Sequence, residues 1–230
     1  MLFRSASGAT GPIAPGQMIS VRGTRIGPDS PAALKIDERG SAATELASFR
    51  VLVNGIPAPL LYVSANWVNA VVPYEVAGVG TVDVVVESGG QTSAPVKVSV
   101  AESNPGIFTA DAGRGQGSIL NADGSANSTS NPARRGSVVI VFGTGEGRTD
   151  PPGVTGKVVS GLLPRPVLPV ECVIGGVKAE VRYAGGTEGQ VAGLLRVDAV
   201  VPLGIGVGAQ EIFIKVGDAR SQDGVYFVIF

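Results

Sequence analysis

Short runs of alternating valine and polar residues, separated by glycine and proline, recur along most of the chain. Alternation with a period of two is typical of β-strands that pack one face on a core, and glycine and proline end such strands. In the first half the predicted strands are residues 17–22, 49–54, 59–64, 67–72, 81–87 and 94–100. In the second half they are residues 137–142, 170–174, 177–183, 194–201, 210–216 and 224–229.

The turns between these runs predict which strands pair locally. We expect the strands at 49–54 and 59–64 to form a hairpin around Gly55, and those at 81–87 and 94–100 to form another. Residues 1–13 have no strand pattern and are expected to be a loose lead-in. The polar stretch between the first two strands is expected to be a long surface excursion with a short edge strand.

The order of residues in the first half is repeated in the second. The matched pairs are Gly16/Gly136, Gly23/Gly143, Val53/Val173, Tyr62/Tyr183 and Pro73/Pro202. The separation is 120 for the first three pairs (136 − 16), 121 for the tyrosines and 129 for the prolines (202 − 73). The second copy therefore carries an insertion after its tyrosine, at residues 185–192, which we expect in a surface loop.

About seven short strands in each copy of roughly 100 residues are typical of an immunoglobulin-like β-sandwich. The predicted fold is all-β, with two tandem immunoglobulin-like sandwiches. We predict a first sandwich at residues 1–101, a connecting segment with a small hairpin at 102–133, and a second sandwich at 134–230. Tyr62 and Tyr183 are expected to have equivalent structural roles.

Composition and charge limit the classes of partner that the chain is expected to bind. A net charge of −1 gives no broad basic field, which disfavours nucleic acid. No apolar run approaches the roughly 18 residues of a membrane span, so membrane insertion is not predicted. Residues 1–9 do not have the pattern of a signal peptide, so an export signal would have to lie outside this segment. Cys172 aligns with Leu52 and is expected to be a buried, unreactive thiol.

Candidate catalytic chemistry is limited to carboxylates because the chain has no histidine. Glu146 and Asp150 lie in the loop after Thr144, and Glu188 lies in the insertion. A pair of these can act as acid and base only if they are about 5 to 10 Å apart, and solvated loop charges are the simpler expectation. The glycine-rich run at 143–147 follows a strand without opening a helix, which indicates a tight turn and no nucleotide site. No cofactor is predicted.

The sequence contains one stretch with the pattern of a metal-binding loop. Oxygen-bearing side chains alternate at Asn121, Asp123, Ser125 and Asn127, as in a calcium loop. The stretch has one carboxylate and lacks the roughly 12-residue frame that ends in a bidentate glutamate. A hairpin turn is therefore the favoured interpretation, with a calcium site as the alternative.

Trp67 is the candidate residue for binding a partner. It aligns with Arg196 in the repeat, so its strand position is expected to face outward. An exposed tryptophan can stack on a sugar ring or anchor a protein partner. The alternative is that Trp67 packs on the connecting segment at Ile107 and Phe108.

Each half is similar to the TIG (IPT) family of immunoglobulin-like domains. The motifs in the first half are Pro15-Gly-Gln-Met-Ile-Ser-Val-Arg-Gly-Thr24, Val53-Asn-Gly-Ile-Pro-Ala58, Val68-Asn-Ala-Val-Val-Pro73 and Gln91-Thr-Ser93. The whole chain further resembles an uncharacterised C-terminal domain family of large secreted or surface proteins of Acidobacteria. The motifs that carry this resemblance are residues 54–64, 116–125, 131–133 and 143–147. It implies export and a position behind upstream domains of the same polypeptide, and it supplies no activity.

These features lead to three alternative hypotheses for the function. The leading hypothesis is a non-catalytic structural or adhesion module of a secreted or cell-surface bacterial protein, with upstream domains as partners and a protein or glycan as the candidate ligand. The alternative is a carbohydrate-binding module that uses Trp67 and the polar loops. The third is a hydrolase in which Glu146 or Asp150 lies near another acid in a cleft.

Overall fold

The computed structural model describes residues 1–111 and 113–230, and over these residues the chain forms two all-β sandwiches in tandem. Each sandwich has its own hydrophobic core of buried valine, isoleucine and leucine side chains. The immunoglobulin-like fold and the duplication predicted from the sequence are therefore confirmed. Across the described residues no helix has the length and apolar character needed to cross a membrane.

The first sandwich consists of two sheets, with a turn of 3-10 helix at Tyr74–Val76 after the seventh strand. One sheet has the order β1-β2-β7-β6-β3, and the other has the order β10-β8-β4-β5 with β9 paired to β8. The strands are β1 Leu2–Arg4, β2 Met18–Arg22, β3 Ala32–Ala33, β4 Phe49–Val53, β5 Ile56–Pro57, β6 Leu60–Ser64, β7 Trp67–Val71, β8 Thr81–Ser88, β9 Gln91–Thr92 and β10 Val96–Ser99.

The second sandwich repeats this plan with additional strands. Its sheets have the orders β11-β15-β21-β20, with β14 on β15, and β12-β13-β24-β22-β18-β19, with β23 on β22. A separate ribbon joins β16 to β17. The strands are β11 Gly106–Ile107, β12 Thr109–Asp111, β13 Arg114–Gly117, β14 Ile119–Leu120, β15 Val138–Thr144, β16 Thr149–Asp150, β17 Arg165–Pro166, β18 Val170–Ile174, β19 Val177–Ala179, β20 Val181–Gly185, β21 Leu195–Val200, β22 Gly208–Val216, β23 Ala219–Arg220 and β24 Val225–Ile229.

The two sandwiches match at the level of side-chain register. Tyr62 lies opposite Asn69, next to a register shift between β6 and β7. Tyr183 lies opposite Asp198, next to a register shift between β20 and β21. The tyrosines are therefore structurally equivalent, as the duplication requires.

The hairpin predicted for residues 49–54 and 59–64 is wrong. Strand β4 pairs with β8 and β5, whereas β6 pairs with β7 and β3 in the opposite sheet. Pro57 is the last residue of β5 and Pro59 has no backbone N–H to donate, and between them the chain crosses from one sheet to the other. Alternation in the sequence identifies the inward face of a strand, but both sheets present the same pattern to their shared core.

The terminal lead-in and the connecting segment are more ordered than the sequence indicated. Residues 2–4 form β1, which pairs with β2, and Ile13 is fully buried beside Val100. In the segment 102–133, β11 and β14 pair with β15, and Ile107 and Ile119 enter the second core. This segment thus extends the second sandwich, and the domain boundary at residue 101 stays a prediction.

Candidate functional site

The glycine-rich turn at residues 143–147 lies in the junction between the two sandwiches, and all five of its residues are buried. Gly145 and Gly147 have φ angles of 90° and 77°, in the left-handed region that favours glycine. A Cβ atom at Gly145 would lie 2.1 Å from the carbonyl oxygen of Asn104, and one at Gly147 would lie 1.9 Å from that of Glu102. Glycine is therefore required at positions 145 and 147 by the backbone conformation and by close backbone contact.

Buried polar side chains join this turn to the first sandwich. The backbone N–H of Met18 donates to Oγ1 of Thr144 at 2.9 Å, and that hydroxyl donates to the carbonyl of Gly193 at 2.7 Å. Nε2 of Gln17 donates to the carbonyl of Asn104 at 2.7 Å. Gln17 and Thr144 are fully buried, so separating the sandwiches would break hydrogen bonds in a water-free environment.

The predicted surface insertion at residues 185–192 is partly buried in the same junction. Val191 packs with Ala42 and Val71 of the first sandwich in a small apolar cluster. Gly193, the first residue after the insertion, has no room for a side chain, because a Cβ atom would lie 2.1 Å from the carbonyl oxygen of Gly16. The expectation of an exposed loop is therefore wrong for its last residues, since the first sandwich covers them.

Within residues 1–111 and 113–230, one pair of titratable side chains is hydrogen-bonded across the junction. It consists of Tyr74 from the first sandwich and the buried Glu146 from the second. The hydroxyl of Tyr74 donates to Oε1 of Glu146 at 3.2 Å. The tyrosine ring fits between Gly16 and Gly153, where an added Cβ would lie 2.5 Å from ring atoms. The N–H of Tyr74 donates to Oγ1 of Thr155 at 2.9 Å. The ring is therefore fixed from both sandwiches.

Burial raises the pKa of Glu146 from 4.5 to about 7, against the opposing effect of turn N–H groups and the Tyr74 hydroxyl. The side chain is 4% exposed, and its Oε2 is buried without a hydrogen-bond partner among the described residues. Burial and the neighbouring carboxyl raise the pKa of Tyr74 well above 10.0. The expectation that Glu146 is a solvated loop charge is wrong, because the opposite sandwich closes over the turn.

The other two candidate carboxylates lie at the surface. Asp150 is exposed in β16 opposite Arg165, and Glu188 is exposed in the turn that precedes Val191. The side-chain partner of Glu146 is Tyr74. A pair of catalytic carboxylates would need a second acid at that place. Within the described part of the chain no group of three or more acidic or cysteine side chains is placed to hold a metal.

Trp67 lies on the outward face of its sheet, directly opposite Arg22 on β2. The Arg22 guanidinium carbon is 4.0 Å from the indole centroid and 5.0 Å from the ring of Phe3. The indole N–H donates to Oδ1 of Asn69. Packing of Trp67 on Ile107, the alternative from the sequence, is wrong because Ile107 belongs to the second core.

The second sandwich has a charged version of the same surface pair. Arg196 and Asp198 occupy the positions of Trp67 and Asn69, and they form two hydrogen bonds of 2.7 Å each. Arg196 also lies 5.8 Å from the ring centroid of Tyr183. The outward face of this strand thus carries an interacting pair in both copies, with different chemistry.

The residues of the calcium candidate form a hydrogen-bonded hairpin. Asn127 donates from Nδ2 to Oδ1 of Asn121 at 3.0 Å and to the carbonyl of Val228 at 2.8 Å. Its own Oδ1 accepts the N–H of Val228 at 2.8 Å. Oδ1 of Asp123 accepts the N–H and the hydroxyl of Ser125. Asn127 therefore fixes the hairpin to β24, and Oδ1 of Asp123 is engaged within the turn.

Cys172 is fully buried on β18, and burial raises the pKa of its thiol to about 12. This agrees with the prediction of an unreactive thiol, because the thiolate is the reactive form.

The sequence did not identify the junction residues Gln17, Tyr74 and Thr144 as important. One signal was available in the repeat: Arg25 of the first copy is replaced by Gly145 in the second. A position that changes from a charged residue to glycine between otherwise matched turns indicates a new close contact. The sequence alone does not tell what makes that contact.

Comparison with known proteins agrees with this architecture. Residues 2–100, the first sandwich, match the family model described as IPT/TIG domain. A search of curated proteins finds no match. The chain is thus an all-β protein of two tandem immunoglobulin-like sandwiches, the first of which is similar to IPT/TIG domains.

Three solved structures are similar to the whole chain or nearly so. The full extracellular region of plexin A4 is 13% identical, with all of this chain and 18% of that chain covered and a TM-score of 0.31. SGBP-B from a complex xyloglucan utilization locus in Bacteroides uniformis is 14% identical over 94% of this chain and 47% of that one, with a TM-score of 0.30. Surface layer protein SbsC, domains 4-9, is 15% identical over 100% of this chain and 30% of that one, with a TM-score of 0.22. The chain therefore spans less than half the length of each.

Proposed function

We propose that this chain is a non-catalytic structural module of a larger secreted or cell-surface protein, and that its two sandwiches act as one rigid unit. The observation that carries the proposal is the junction, where the N–H of Met18 donates to the buried Thr144 and Gly193 lies directly against the carbonyl of Gly16. A module that holds other domains at a fixed distance and angle needs such a junction.

The contacts explain why the unit would be rigid. Domains in one chain usually move relative to each other unless their interface is extensive and well packed. Here a hinge motion would leave Gln17 and Thr144 with broken buried hydrogen bonds. Each such loss costs about 1 to 3 kcal/mol, which strongly disfavours an open state.

The proposed location and partners are supported by sequence resemblance. The motifs at 54–64 and 116–125 resemble those of C-terminal domains in secreted or surface proteins of Acidobacteria. We therefore place the module outside the cell, behind upstream domains of the same polypeptide. An adhesive role would use the outer surfaces of the sheets, since the junction is closed.

Calorimetric unfolding tests the rigid unit. We expect one cooperative transition for the chain, because the sandwiches share buried polar contacts. Gly145→Val should separate the transition into two, since the new side chain collides with the Asn104 carbonyl that accepts the Gln17 amide of the first sandwich, and its Cβ lies 3.0 Å from that Nε2. Gly124→Val is the matched control: it introduces the same residue at a φ of 81° with no atom within 4 Å of the added Cβ. Two transitions in the unmodified chain would contradict the proposal.

Assays of hydrolysis test the non-catalytic assignment. We expect no turnover of polysaccharide or ester substrates by the purified chain, since Glu146 is buried against Tyr74. Turnover that is abolished by Glu146→Gln or by Asp150→Asn would refute the assignment and favour the carboxylate hydrolase.

A carbohydrate-binding module is the second candidate, and the partly exposed Trp67 on the outer face of its sheet favours it. Against it, Arg22 already covers one face of the indole. Polysaccharide pull-down with the chain and with Trp67→Ala separates the two functions. Binding that is lost in the variant would support a glycan site, and binding that is absent or unchanged would remove it.

A further inference from the structure

The edge of β24 in the second sandwich is covered by β13, which runs parallel to it. Gly115 lies opposite Val225 and Gln116 opposite Tyr226, and the N–H of Gly115 donates to the carbonyl of Gly224 at 2.9 Å. Under this cover Val225 is 0% exposed and belongs to the core.

Strand β10 has the same place in the first sandwich. It pairs with the long strand β8 as β24 pairs with β22. A parallel bridge from a matched residue lies at the C-terminal end of each strand: Ile13 pairs with Val100, just after β10, and Ala133 pairs with Ile229, the last residue of β24. The bridging residues are 120 positions apart (133 − 13), in the register of the repeat.

In the described part of the chain, no strand covers the edge of β10 on the N-terminal side of this bridge. Val96 lies opposite the buried Val84, as expected for a core-facing residue, yet it is 50% exposed. The N–H of Val100 donates to Gly80 on the β8 side, so in the alternating antiparallel pattern the backbone groups of Lys97 and Ser99 point outward. The Ser99 carbonyl already accepts the N–H of Ile13 at 3.0 Å, so the groups of Lys97 are those that face the uncovered part of the edge. An edge of this kind is a template for an added strand.

The repeat also indicates which polypeptide would reach this edge. Leu2 of β1 pairs with Val21, and Ile119 of β14 pairs with Val141, the repeat match of Val21. Strand β1 is therefore equivalent to β14. Since β13 ends at Gly117, two residues before Ile119, its equivalent would be the polypeptide directly ahead of Leu2.

We propose that the edge of β10 is the docking site of an extended strand, supplied by the polypeptide that leads into Met1 in a longer protein. The strand would run parallel to β10 and would have a glycine near Val96, because a Cβ at Gly117 would lie 3.2 Å from Cγ1 of Val225. The inference rests on the proposed upstream domains. Docking would cover Val96 and fix the direction in which the preceding domain leaves the module.

Hydrogen exchange on extended proteins tests the inference. One protein carries Gly-Arg-Gly-Gln-Gly, a copy of residues 113–117, ahead of Met1. The matched control has proline in place of the copy of Gly115, which removes the donor, and valine in place of the copy of Gly117, which adds a clash. We expect the Lys97 amide to exchange at least about fivefold more slowly in the first protein, the net contribution of one backbone hydrogen bond. The control should match the unextended chain.

Three outcomes would overturn the inference. Equal exchange at Lys97 in both extended proteins and the unextended chain would mean that the edge does not accept the strand. Slowing in the control as well would mean that pairing is not the cause. Slowing that depends on protein concentration would mean that the edge pairs with a second copy. None of these changes the single unfolding transition of the unextended chain, so the proposed rigid unit is tested separately.

Discussion

Glu146 gives a quantitative prediction for the stability of the junction. Its pKa is 4.5 in the unfolded chain and about 7 in the folded one, a difference of 7 − 4.5. Between these values the folded state binds more protons than the unfolded state, so the free energy of unfolding falls as pH rises. The stabilising protonation is fully present below about pH 4.5 and is lost as pH passes through 7. At 1.36 kcal/mol per unit of pKa, the loss is about 3 kcal/mol.

The assay is urea unfolding of the chain and of Glu146→Gln from pH 4.5 to pH 8. Glutamine has the shape of the protonated carboxyl and does not titrate, so the variant should lack this loss. We expect the variant to gain about 3 kcal/mol relative to the natural chain between the two ends of the range. Taking the difference cancels the other titrating groups, which both proteins share.

Glu188→Gln is the control, since Glu188 is exposed in a turn. Loss of this exposed charge should change the free energy of unfolding by no more than a few tenths of a kcal/mol. The reasoning is refuted if the difference between Glu146→Gln and the natural chain is the same at pH 4.5 and pH 8, because Glu146 would then be ionised throughout.

Two further predictions concern the second sandwich. Asn127→Ala should lower the free energy of unfolding by about 2 to 4 kcal/mol, because Val228 loses two buried hydrogen bonds; added calcium should not raise the melting temperature of the natural chain, and a rise that Asp123→Asn abolishes would instead indicate a calcium site. Cys172 should resist alkylation until the chain unfolds, because its thiol is buried with a pKa of about 12; rapid labelling of the native chain at pH 7 would contradict the buried position.

The sequence predicted the strands and the duplication well because both depend on local pattern. Alternation identified β8 and β18 to within one residue, and the spacing of Tyr62 and Tyr183 located equivalent positions. It did not predict that β4 and β6 lie in different sheets, since an inward face has the same pattern in either sheet. Pro57 and Pro59 were the local sign of that crossing.

The junction was not predictable by the same means, because burial there depends on residues 70 or more positions away in the chain. Glu146 has the sequence context of a loop charge, and only the position of Tyr74 shows that it is buried. Val191 likewise has the context of an insertion and becomes interior through Val71. Such residues are recognised from the sequence only by departures between the two copies, as at Arg25 and Gly145.

Residual dipolar couplings of backbone amides test the central claim most directly, because they report the orientation of each sandwich in solution. If the junction makes the two sandwiches one rigid body, couplings from residues 1–101 and from residues 134–230 will fit a single alignment tensor with the relative orientation of this structure. If the sandwiches move independently, the two sets will require tensors of different magnitude, and the account of the junction will be wrong.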